Sequence, residues 1–255
     1  YDADAREYLS FLERFPKTCH RATALYWLAR SLSESGKPLE AADVYEQAAG
    51  AKNAPGKIVG SSLLEAAEIF RGQKKYDQAF AVMTKAEKEL AKTESAPEVA
   101  LLKGLVFYDN GAIDEAKGQF EFVISKFPST IQADRARVGL VKVHMRMQDY
   151  GSAQALAQKV ATSRIDEVGA EAQYLSGVAY AENKEWQNAA TAFLRLRYVF
   201  PSHERWLAKS YLGLGQAYEE LKNSQKAKEA YRNALKFQKE EEVVAEASRR
   251  LKSLE

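Results

Sequence analysis

Residues 212–235 read LGLGQAYEELKNSQKAKEAYRNAL, and this stretch decides the fold. Gly215 is followed three residues later by Tyr218, then by a polar turn, Ala227, Tyr231 and Ala234. Working outward, the same alanine recurs at Ala41, Ala79, Ala116, Ala153, Ala189 and Ala227, in steps of 38, 37, 37, 36 and 38 residues. Four residues after each come Tyr45, Met83, Phe120, Ala157, Phe193 and Tyr231. A fixed period in this range marks an array of repeats, each too small to bury its own apolar face. Such arrays usually act as binding surfaces.

Each unit reads as two helices and a short turn. In the third, Pro97 to Asn110 is strongly apolar, Gly111 permits the turn, and Ile113 to Lys126 is a second helix ended by Phe127-Pro128. Proline lacks the amide donor and clashes with the preceding turn, so it stops a helix. Ser129 with Gln132, and Ser95 with Glu98, have the spacing of reciprocal N-terminal caps. Antiparallel helices approach closely only where a small side chain faces the partner. Ala29, Ala67, Gly104, Gly177 and Gly215 take that place on the first helices, with the bulky residue of the second helix filling the space beside each.

These residues resemble the tetratricopeptide repeat: a small residue in the first helix, an aromatic three later, then alanine, an aromatic and alanine in the second, with a closing proline. The fifth unit carries it as Gly177, Tyr180, Ala189, Phe193 and Pro201. The resemblance implies an all-α fold, a right-handed α-solenoid of antiparallel helix pairs. Residues 22–239 divide into six repeats, residues 1–21 read as a half repeat around Tyr8, Phe11 and Phe15-Pro16, and residues 240–255 as a capping helix from Glu241 to Leu254. The chain is expected to be a piece of a longer protein. The joints Phe127-Pro128-Ser129 and Phe200-Pro201-Ser202 resemble a bacterial envelope subgroup, which includes the outer-membrane assembly lipoprotein and the periplasmic Tol–Pal partner. That resemblance implies a periplasmic or outer-membrane-associated scaffold. The alternative is a self-association module of a larger cytoplasmic regulator.

Composition narrows the chemistry. The formal net charge is +2 over 255 residues, with no long run of one sign, so nothing calls for nucleic acid. Cys19 is the single cysteine, and no apolar stretch approaches the ~20 residues of a membrane span. His20, His144 and His203 are far apart, and no metal-ligand spacing, phosphate loop or nucleophile motif occurs. The expectation is a protein without catalysis or cofactor, and without direct membrane insertion.

The family's first helices line the concave side. Projecting its inward positions gives Tyr26 and Arg30, then Leu64, Glu68 and Arg71; in the fifth and sixth units, Tyr174, Glu182, Leu212, Gln216 and Glu219. The third and fourth units supply the candidate protein-binding groove: Leu101, Leu105 and Tyr108, then Arg135, Val138, Lys142, Met145 and Arg146. This apolar strip with a basic edge suits an extended or helical segment with apolar anchors and some acidic residues. The competing reading is that Leu101, Leu105 and Val138 only pack between units. Tyr26, Arg30 and Glu65 occupy the early positions where chaperone-binding members grip a terminal carboxylate, so that clamp is not expected. An apolar face at Tyr8, Phe11 and Phe15 could also pair two copies into a homodimer.

Overall fold

The computed structural model describes residues 2–254; Tyr1 and Glu255, the outermost residues of the expected half repeat and cap, lie outside them. The described residues are all-α. The helices are α1 (Asp2–Arg14), α2 (Arg21–Glu34), α3 (Pro38–Ala49), α4 (Gly56–Gly72), α5 (Tyr76–Leu90), α6 (Ala96–Asp109), α7 (Ile113–Lys126), α8 (Ile131–Arg146), α9 (Tyr150–Ser163), α10 (Glu167–Glu182), α11 (Trp186–Val199), α12 (Glu204–Glu220), α13 (Ser224–Ala234) and α14 (Glu241–Ser253). The chain packs as two compact units, Tyr1–Ala133 and Asp134–Glu255.

In the N-terminal unit each helix packs on the next, from α1 on α2 through α6 on α7, and the first helices also touch one another, α2 with α4 and α4 with α6. The C-terminal unit repeats the pattern: α9 through α14 pack in order, with α10 touching α12 and α12 touching α14. This is the packing of a tetratricopeptide-like solenoid within each unit. First helices in mutual contact form one wall, and α10, α12 and α14 are the wall on which the site below is built.

The periodic residues hold these stacks together. All six alanines of the period are fully buried. A Cβ built on Gly104 would lie 2.7 Å from the Phe120 ring, on Gly177 2.5 Å from Phe193, and on Gly215 2.2 Å from Tyr231. Each aromatic of a second helix therefore lies directly on the backbone of its partner first helix. Tyr231 is fully buried, and its hydroxyl donates to Glu219. Burial and that contact push its phenol above the ordinary value.

The turns follow the same period. Gly36, Lys74, Gly111, Gln148, Lys184 and Lys222 have φ between 56° and 82°, and each stands five residues before a periodic alanine. Gly111, with φ 82°, allows the turn as its residue type implies. Lys74, Gln148, Lys184 and Lys222 hold the same left-handed conformation between their flanking helices.

The expected caps need correction. Ser95 precedes α6 but makes no side-chain capping bond. Ser129 is displaced by its neighbour: Thr130 Oγ1 donates to the Phe127 carbonyl at 2.8 Å and accepts from Ala133 N–H at 3.2 Å. Elsewhere Asp149, Asp166 and Asn223 cap α9, α10 and α13 by accepting from Ser152, Gly169 and Lys226 N–H.

Candidate functional site

Each half of the expected groove, taken by itself, is largely committed to packing. In the N-terminal unit Leu101 is 5% exposed, because α6 is apolar on nearly every side. Leu105 and Tyr108 are half-buried. In the C-terminal unit Val138 is 3% exposed and belongs to the core cluster with Val141, Ala157 and Val168. Met145 packs at the edge of that cluster. Lys142 Nζ is held by Glu171 at 2.6 Å, while Arg135 and Arg146 are exposed. Leu101 and Val138 are thus core residues, and the basic edge expected from Lys142 is neutralised within its own unit.

Other inward positions are paired as well. Arg71 bridges Glu68 and Asp109, the latter at 2.6 Å. Arg30 pairs with Glu34 at 3.1 Å and lies 5.3 Å from the Trp27 ring. Cys19 is exposed in the turn between α1 and α2, with His20 beside it in that turn rather than on a helix. His144 Nδ1 meets Asp149 at 3.1 Å, at the start of α9, which fits a structural role. Among the described residues no group of His, Cys, Asp and Glu could hold a metal, and no helix is long and apolar enough to cross a membrane.

An open concavity lies within the C-terminal unit. A cleft of about 560 Å3 is formed within the C-terminal unit by α10, α11, α12 and α14. Tyr174, Glu182, Leu212 and Gln216, all projected inward from the sequence, line it. Glu219, projected with them, instead accepts from Tyr231 and from Arg250 Nη1 at 3.3 Å. Lining residues that the projection misses include Trp186, Phe193, Lys209, Gly213, Glu242 and Arg250.

The floor is built by close backbone approach. Phe193, on α11, lies between two glycines: a Cβ on Gly177 would come within 2.5 Å of its ring and one on Gly213 within 2.7 Å. Tyr174 packs at a tilt against this ring, with centroids 5.9 Å apart, and against Trp206 at 5.5 Å. Trp206 is fixed in turn, since its indole N–H donates to Glu167, which also meets His203 Nδ1 at 2.8 Å. Burial raises the Tyr174 phenol above its ordinary value, so it enters the cleft neutral, as a donor and acceptor. An apolar floor with a few convergent polar groups is what a ligand site of this size requires. Gly213 is the one signal that could have revealed the floor: it stands two residues before the periodic Gly215, outside the repeat pattern.

Models of the tetratricopeptide repeat match residues 23–50, 138–202 and 208–241. This is a tetratricopeptide-repeat protein. Its repeats are similar in fold to a tetratricopeptide repeat protein from Parabacteroides merdae, with TM-score 0.70 and 13% identity over 96% of this chain and 91% of that chain. BtubC from P. vanneervenii is similar with TM-score 0.63 and 13% identity, over 82% and 90%. Cut9–Hcn1, an APC/C hetero-tetramer, gives TM-score 0.67 and 16% identity, over 98% of this chain and 46% of that one. At these identities the likeness is one of fold. No curated protein matches the sequence.

Proposed function

We propose that this tetratricopeptide-repeat protein is a non-catalytic interaction scaffold, and that the cleft of its C-terminal unit seats an extended or helical segment of a protein partner. The cleft itself is the observation that carries this reading: an aromatic floor, preformed by Gly177 and Gly213, with Gln216 and charged side chains at its margin. A rigid site spares the scaffold much of the ordering cost of binding. A photo-crosslinking amino acid placed in cells at Gln216, and separately at Tyr198, tests it. Tyr198 is 71% exposed on α11 and does not line the cleft. The expected result is an adduct from Gln216 whose peptide maps to one protein partner. Adducts from Tyr198 with none from Gln216 would refute it.

Self-association is a second reading. Leu9 and Phe15 are 45% and 52% exposed at the start of the N-terminal unit, beside a concavity lined by Phe11, Pro16 and Cys19. Light scattering of wild type and Phe15→Ser decides it, since a dimer through this face would revert to monomer in the variant. The support for a bacterial envelope setting is the pair of Phe-Pro-Ser joints. Fractionation of cells carrying the full-length protein tests that setting: recovery with the cytoplasm overturns it.

A further inference from the structure

Three acidic and three basic side chains line the cleft, and once Arg250 is set aside with its own partners the carboxylates exceed the ammoniums by one. Arg250 is engaged by Glu246 at 2.7 Å and by Glu219 at 3.3 Å. The Lys209 ammonium lies 5.1 Å from the Trp206 ring centroid. Glu182, Glu220 and Glu242 also line the cleft, yet make no hydrogen bond or ion pair among the described residues; of the basic lining residues Lys184 alone is equally unengaged. The rim thus offers three unpaired carboxylates, against the ammoniums of Lys184 and Lys209, above a floor of Tyr174, Phe193 and Trp186.

This combination selects by charge. A ligand carboxylate or phosphate would face more like charges than opposite ones, whereas a lysine or arginine would find three free acceptors. Aromatic faces also attract a cation, and they pack against the aliphatic stem that carries it. The apolar floor asks for an anchor of its own. Resting on the reading that this cleft seats the partner, we propose that its occupant is a protein segment with an aromatic or aliphatic anchor flanked by lysine or arginine, and that acidic segments are rejected. This occupant is opposite in charge to the segment expected for the groove of the third and fourth units.

A random dodecapeptide phage library, selected on the full chain and depleted of clones that still bind the Gln216→Trp variant, tests the proposal. The retained clones should carry Lys and Arg over Asp and Glu by about fivefold relative to the input, the effect of roughly one exposed-to-half-buried ion pair. The enrichment should vanish on the triple variant Glu182→Gln, Glu220→Gln, Glu242→Gln, whose exposed substitutions leave the unfolding midpoint in place. Retained clones that are neutral or acidic overturn the charge assignment and leave the cleft as the seat. No clone sensitive to Gln216→Trp overturns both. A dimer that Gln216→Trp dissociates would make the occupant a second copy, and overturns the proposal as well.

Discussion

At Gly215 the absence of one methyl group decides how close two helices come. Tyr231 lies where an alanine Cβ would be, 2.2 Å away, and it is a rigid ring that cannot fold aside. Gly215→Ala should therefore cost about 1–3 kcal/mol, the range for overpacking a filled core, read from chemical denaturation. Gly118 is the control. It lies inside α7 with nothing within 4 Å of its virtual Cβ, so Gly118→Ala should instead raise stability by up to ~1 kcal/mol through helix propensity. The small residues of the first helices were legible in the sequence because their spacing is local and repeats. Gly213 was visible only as a glycine outside the repeat pattern, and its meaning depends on Phe193, twenty residues earlier in another helix.

At the scale of the element, the turns and joints carry the predictions. Lys222 holds φ at 56°, a conformation that costs a non-glycine residue about 1–2 kcal/mol. Part of that is returned by the extra freedom glycine has in the unfolded chain, so Lys222→Gly should gain roughly 0.5–1 kcal/mol in thermal unfolding. Sequence reasoning named only the turn at Gly111, because lysine and glutamine advertise nothing about φ. Ion pairs fix two further elements. Arg164 holds the Asp166 carboxyl at about 2, against an ordinary 3.8, and Arg249 with Arg250 hold Glu246 at about 2, against 4.5. Folding thus depresses both values, so the unfolded chain takes up protons first as pH falls. The stability these carboxylates supply is complete above about pH 5 and drains away between there and pH 2. Both groups are largely solvated, and salt should shrink the effect. Arg164→Gln should flatten the acid limb of a melting-temperature profile; an unchanged limb would remove the pair from the account.

For the whole molecule, the period and the binding residues are two different sets. The period specifies an all-helical array, and its legibility rests on six agreeing copies. The recognition surface depends on departures from that agreement, and those are non-local. Projecting inward positions treats every unit alike, yet Leu101 sinks into the core because α6 is apolar all round, and Lys142 is neutralised by Glu171 on α10. Conversely Leu212 and Gln216 stay open because α14 forms a wall beside them and Gly213 lets Phe193 lie flat beneath. Four of the five inward residues named for the fifth and sixth units do reach the cleft; what the sequence could not convey was the space that α11 and α14 leave open beside them.

The most direct measurement compares partner affinity and folding stability in one variant. Gln216 is half-buried, lines the cleft and makes no hydrogen bond among the described residues, so Gln216→Trp fills the cleft without removing a periodic contact. With the crosslinked partner segment titrated by calorimetry, affinity should fall by about tenfold or more, an interface hot-spot effect. The unfolding midpoint should stay at the wild-type value. Undiminished affinity in a fully folded Gln216→Trp protein would contradict the assignment of recognition to the C-terminal cleft.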